Sequence, residues 1–127
     1  MIFADSSYFI AIADRKDQWH ERARKLSKNA QKMIATELVL SESVTAVGAR
    51  GGGKAGMALY EYVSDNCQVT FADMKMLDRA MKIYLMYDAT LSLADAVSLV
   101  VMEDCDIKNI LSFDSDFDKV NGITRLA

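Results

Sequence analysis

Short apolar runs alternate along this chain with longer stretches in which apolar residues recur every three or four positions. Ile2-Phe3-Ala4 is a continuous apolar run that predicts a buried parallel strand, closed by Asp5-Ser6-Ser7, with Ser6 or Ser7 capping a helix through Ile12. Trp19, Ala23, Leu26 and Ala30 are spaced four, three and four apart, which predicts a second helix over about residues 18–28. Its opposite face carries Glu21, Arg22, Arg24, Lys25 and Lys28. Met33-Ile34-Ala35-Thr36 reads as a second strand, followed by a helix over about 37–49 that stops at Gly51-Gly52-Gly53. A helix over 54–64, a strand over 69–71 and a helix carrying Met74, Leu77, Met81, Tyr84 and Leu85 come next. Residues 92–103 read as a further helix, 109–113 as a fourth strand and 123–125 as a weak fifth.

Such alternation predicts an α/β fold, a mainly parallel sheet of four to five strands joined by right-handed crossovers. With 127 residues, 51% of them hydrophobic, the chain is expected to form a single domain, residues 1–127, with a core that needs no staples. There is no proline, no internal repeat and no low-complexity linker. The two cysteines, Cys67 and Cys105, lack metal-ligand spacing and read as inert core residues in a reducing cytoplasm. No signal peptide is expected at Met1-Ile2-Phe3-Ala4-Asp5, and no apolar stretch reaches the roughly 20 residues of a membrane span. A net charge of -3 argues against gripping long duplex nucleic acid by counterion release. The lone His20 has no nucleophile at a recognisable spacing, and Gly51-Gly52-Gly53-Lys54 follows a helix and lacks a phosphate-loop pattern. The eight methionines fall largely on helices and are expected to fill core or a subunit contact.

Four carboxylates stand beside apolar runs: Asp5, Glu42, Asp95 and Asp114. In a parallel sheet all strands present their carboxyl ends at one rim, where ligands bind. Asp5 and Asp114 follow predicted strands, Glu42 lies about one and a half turns into the helix after strand two, and Asp95 lies in the first turn of the helix before strand four. Like charges sharing a dry site require a cation, and a hard divalent metal suits an all-oxygen donor set. Each acid also has a plainer reading. Asp95 completes a Ser92-x-x-Asp95 capping box, Asp5 caps a helix, and Asp114-Ser115-Asp116 forms an Asx turn. Glu42, between two apolar turns, is the hardest to explain as an ordinary exposed glutamate.

These residues carry a family resemblance. Met1-Ile2-Phe3-Ala4-Asp5-Ser6-Ser7, Leu38-Val39-Leu40-Ser41-Glu42, Leu91-Ser92-Leu93-Ala94-Asp95-Ala96 and Leu111-Ser112-Phe113-Asp114-Ser115-Asp116-Phe117 resemble, in order, the four acidic elements of PIN domains, and in particular of VapC-type ribonuclease toxins. The resemblance implies a Rossmann-like α/β/α sandwich with sheet order 3-2-1-4-5 and an acidic site for Mg²⁺ or Mn²⁺. It carries Asp5, Glu42, Asp95 and Asp114 to the catalytic and metal-binding positions, with Asp116 as a further acid and Ser6 and Ser112 as supporting hydroxyls. Ser6 stands where the family more often has Thr. The implied activity is metal-dependent endoribonuclease cleavage of single-stranded or looped RNA by a cytoplasmic homodimer, held in check by an antitoxin protein. Asp5, Asp95 and Asp114 would hold one or two cations, and Glu42 would complete the site or orient water. Arg15, Lys16, Arg50 and Lys54 are candidates for backbone contacts, although a solvated face is the plainer reading. The competing classes are a PIN-like binding or RNA-processing module without a toxin role, and a receiver-like signalling domain.

Overall fold

A computed structural model describes residues 1–29 and 31–127. The chain runs β1 (Ile2–Ala4), α1 (Ser6–Ala13), α2 (His20–Ser27), β2 (Met33–Thr36), α3 (Glu37–Gly51), α4 (Gly53–Asn66), β3 (Cys67–Thr70), α5 (Met74–Met86), α6 (Leu93–Asp104), β4 (Asn109–Leu111), a 3-10 turn (Ser115–Lys119) and β5 (Thr124–Leu126). The five strands form one sheet in the order β3-β2-β1-β4-β5, and every pairing is parallel. Right-handed crossovers explain the layering. Moving outward from β1 to β2 and β3 puts α1 to α4 on one face, whereas the return to β4 puts α5 and α6 on the other. The packing follows suit, with α1 against α2, α3 and α4, and α5 against α6.

The central strands are buried on both sides, as continuous apolar runs predict: Phe3, Ala4, Ile34, Ala35 and Ile110 have no exposed surface. Tyr8, Phe9 and Ala11 of α1 close one side. From Ala96 to Met102 every residue of α6 is buried, so this helix is enclosed on all sides rather than amphipathic. Two devices fix the ends of α3. Thr36, fully buried, accepts the Val39 amide at 3.1 Å through its hydroxyl and caps the helix. At the other end Gly52 takes a φ of +89°, a left-handed conformation that glycine adopts without a side-chain penalty, and lets α4 begin at once. Gly56 then allows α4 to close on α3, because a Cβ there would sit 3.3 Å from the Val44 carbonyl oxygen. Thr36→Ala removes the cap inside the core and is expected to cost about 1–2 kcal/mol, measurable by urea unfolding.

Several expectations change. Asp5, not Ser6 or Ser7, occupies the N-cap position of α1. The second helix is shorter than its apolar spacing suggests, with Trp19 as its N-cap; Ala30, the last member of that spacing, lies outside the described residues. Strand β3 starts two residues early and ends before Phe71, which is 71% exposed, because an edge strand needs no continuous apolar run. Cys105 is exposed at the end of α6 and Cys67 is only partly buried, so neither is a core cysteine, and both are free. The methionines divide: Met102 is core, while Met74, Met81 and Met86 are exposed on α5. No described helix is long and apolar enough to cross a membrane.

Candidate active site

Parallel register builds the centre of the site. Ala4 pairs with Leu111 across β1 and β4, so the next residues, Asp5 and Ser112, emerge side by side at the carboxyl rim of the sheet. The Asp5 amide extends the ladder to the Leu111 carbonyl at 3.0 Å. Although Asp5 sits at an N-cap position, its carboxylate does not cap α1. Its Oδ2 instead accepts hydroxyl hydrogen bonds from Ser7 at 2.8 Å and Ser112 at 2.9 Å. Asp5 is 3% exposed. Burial raises its pKa above the usual aspartate range, and the two serine hydroxyls only partly oppose that.

The same hydroxyls hold the segment after β4. Ser7 Oγ accepts the Phe113 amide at 2.9 Å, and Ser112 Oγ accepts the Asp114 amide at 3.0 Å. Asp114, half-buried, accepts the Asp116 amide through Oδ1 at 2.9 Å and caps the 3-10 turn, so the Asx-turn reading holds as well. From the neighbouring strand, β5 braces this segment: Ser112 donates its amide to Leu126, and Arg125 reaches the Ser112 carbonyl at 3.2 Å while pairing with Asp118 at 2.9 and 3.0 Å.

Asp95 reaches the rim because α6 runs back from it toward the start of β4. The capping box forms: Ser92 accepts the Asp95 amide at 3.0 Å, and Asp95 Oδ2 accepts the Ser92 amide at 3.1 Å. Capping does not exhaust this carboxylate. Burial first, and then the negative charges of Asp5 and Asp114, lift its pKa to about 6. Glu42 departs from expectation, since Val39, Ser43 and Val47 form the buried stripe of α3 and Glu42 is exposed as a residue. Its carboxyl end nevertheless turns toward the site. Desolvation and the charges of Asp5 and Asp114 raise its pKa, with the Ser6 hydroxyl working the other way.

Asp5, Glu42, Asp95 and Asp114 therefore share one electrostatic neighbourhood at the rim. Asp116 pairs with Lys119 at 3.0 Å. None of the four acids has a Lys, Arg or His ion-pair partner among the described residues. Arg125 feels the charge of Asp114 but is committed to Asp118. Clustered hard oxygen donors without a protein counter-charge fit a divalent cation. Among the described residues no three of the donors are drawn tightly enough to enclose a bare ion. A cation bound there would have to keep several of its own waters.

The PIN domain family model matches residues 2–123. The chain belongs to the PIN domain family. Over 120 residues, 92% of either chain, it is 29% identical to the 23S rRNA-specific endonuclease VapC20 of Mycobacterium tuberculosis. The crystal structure of that protein, described as a sarcin-ricin loop cleaving toxin, superposes with a TM-score of 0.89 at 25% identity, covering 97% of each chain. A toxin-antitoxin complex from Klebsiella pneumoniae shares the fold, with a TM-score of 0.73 at 12% identity over 98% of this chain and 96% of the other. Membership in the PIN domain family removes the receiver-like alternative.

One supporting hydroxyl of this PIN domain escaped the sequence reading. Ser7, rather than Ser6, joins Ser112 on Asp5. The only signal was the doubled serine after Asp5. Ser112→Ala removes a donor to Asp5 and an acceptor for the Asp114 amide together, so it loosens two acids at once. The expected result is a drop of about 10- to 100-fold in metal-dependent activity with the far-UV circular dichroism unchanged. A variant with wild-type activity would make this hydroxyl merely structural.

Proposed function

We propose that this chain is a Mg²⁺- or Mn²⁺-dependent endoribonuclease and the toxin of a toxin-antitoxin pair. One observation carries the proposal: a buried aspartate, turned from its helix cap onto two serine hydroxyls, lies in one electrostatic neighbourhood with three further carboxylates, none of them ion-paired among the described residues. The likeness to VapC20, named as an rRNA endonuclease and a toxin, supports RNA as the substrate and an antitoxin as the partner. A homodimer, which the resemblance to VapC-type toxins implies, is proposed as its assembly.

Asp5, Asp95 and Asp114 would hold the cation or its waters, with Glu42 completing the site. Such a cation supplies positive charge against the scissile phosphate and lowers the pKa of bound water. The chain's own groups do the rest. Ser7 and Ser112 immobilise Asp5, so its carboxylate needs no reorganisation when phosphate arrives. Asp95 and Asp114 each commit one oxygen to a backbone amide and keep the other for the site. Glu42, its pKa raised by the other acids, is suited to accept a proton from the attacking water.

The test is cleavage of a panel of single-stranded and stem-loop RNAs, including 23S rRNA, with Mg²⁺ or Mn²⁺ and with a chelator. Defined fragments that disappear on chelation are the expected outcome. If neither metal supports cleavage of any RNA, the domain is a PIN module without turnover. Coexpression with the product of an adjacent small gene should abolish cleavage if that product is the antitoxin.

A further inference from the structure

A pair of aromatic rings starts at Phe113, the chain neighbour of Asp114, and the chemistry above does not use it. Phe113 lies between Ser112 and Asp114, with its amide held by Ser7, and it packs against the main core. Trp19 lies on Phe113 with the two rings parallel to within 1° and their centroids 5.2 Å apart. The indole does not join the core and remains 43% exposed. It is nevertheless firmly placed. The Trp19 amide donates to Asp17 at 2.9 Å, and the Trp19 carbonyl accepts the Ala23 amide at 2.8 Å. Arg50, one of the cations considered for phosphate contact, instead braces this loop from α3, reaching Asp14 at 3.2 Å and Asp17 at 3.6 Å.

We infer that Trp19 is a stacking platform for an unpaired base of the RNA substrate, next to the nucleotide whose phosphodiester lies at the acids. The inference rests on the ribonuclease reading and deepens it. An aromatic ring with one face packed and the other open offers a base the contact it loses on leaving its own stack. Phe113 couples that platform to the site, because its neighbours in the chain are the serine that holds Asp5 and one of the acids themselves. The surroundings favour nucleic acid over a protein partner. A protein contact would extend the apolar surface, whereas the exposed neighbours of Trp19 in its loop are Arg15, Lys16 and Gln18. Neither Arg15 nor Lys16 is ion-paired among the described residues, so both can meet the phosphates on either side of a stacked base.

Trp19 is the only tryptophan in the chain, so its fluorescence reports on this position alone. The wild-type protein is titrated with a mixed-sequence single-stranded RNA of twelve nucleotides in Ca²⁺, and with an abasic ribose-phosphate oligomer of equal length. Base-bearing RNA is expected to quench the emission and the abasic oligomer to leave it largely unchanged. In steady-state cleavage, Trp19→Ala and Trp19→Leu are expected to raise KM about 5- to 150-fold, with a smaller change in kcat. Trp19→Phe, which keeps a planar face, should recover most of that loss; circular dichroism checks that each variant folds. Equal quenching by both oligomers, or wild-type KM in the Ala and Leu variants, overturns the inference while the nuclease stands. Quenching by base-bearing RNA without any cleavage keeps the platform and overturns the nuclease reading instead. Emission that responds to protein concentration but not to RNA assigns the indole to a contact between protein chains and overturns the inference.

Discussion

Asp5→Asn is expected to reduce RNA cleavage by at least about a thousandfold, the several kcal/mol of transition-state stabilisation that a positioned cation supplies. The metal-free variant should melt no lower than the wild type at pH 7. These outcomes differ because Asp5 serves function at the expense of the fold. Its carboxylate is buried, its nearest groups are two hydroxyls rather than a cation, and burial dominates its raised pKa. Asparagine can accept the same hydroxyl hydrogen bonds through its carbonyl oxygen while removing the charge. A quantitative cleavage assay and a thermal melt decide the matter. If the variant cuts at more than a tenth of the wild-type rate, Asp5 is not at the centre of the site; if it melts well below the wild type, its charge is structural.

The second large effect is a dependence on pH that reverses when metal is added. Asp95 is raised to about 6, and Asp5 and Glu42 are raised with it. A carboxyl whose pKa is higher in the folded state favours folding while it is protonated. For Asp95 the contribution is fully present below the unfolded carboxylate range near pH 4 and is lost as pH rises through about 6, and Asp5 and Glu42 act in the same direction. Asp14 and Asp118 have lowered pKa values and act in the opposite direction, so the comparison needs a variant. Asp95→Asn, which can still accept the Ser92 amide, should gain on the wild type in Tm between pH 5 and pH 7.5 in the absence of metal. Mg²⁺ or Mn²⁺ at a hundred times its dissociation constant should stabilise the wild type by about 2.7 kcal/mol at pH 7.5 and far less at pH 5, where protons compete. Cleavage should fall below about pH 6 for the same reason. Equal metal stabilisation at both pH values would falsify the assignment of these acids to the cation.

Much of the architecture was legible because local pattern and global topology agree. Ile2-Phe3-Ala4 and Met33-Ile34-Ala35-Thr36 read as buried strands because they are buried on both faces, and the triple glycine marked the junction of α3 and α4. Edges were less legible. Strand β3 has its neighbour on one side only, its Gln68 is exposed, and its apolar signal drifts toward Phe71. The phase of α3 was misjudged at Glu42: the buried stripe falls on Val39, Ser43 and Val47, and Ser43 satisfies its hydroxyl on the Val39 carbonyl at 2.6 Å. At the rim, the nearness of Asp5 to the β4 segment followed from strand order. The choice of Ser7 over Ser6 did not, because a contact across 107 residues decides it: Ser112 reaches Asp5, and Ser7 closes on both. Trp19 read as the first apolar position of a helix; its stacking on Phe113 depends on the same long-range closure.

That closure bears on when the protein can act. The central strand β1 is made first, but its neighbour β4 and the Ser112 hydroxyl that orients Asp5 come near the other end of the chain. A fragment ending before residue 109 has three of the four acids and an unfilled edge on β1, and therefore no assembled rim. Pairings this distant in sequence form late in folding. The acids therefore come together only once β4 and the Ser112 segment have docked on β1, so the last long-range pairing of the sheet is also the one that completes the rim.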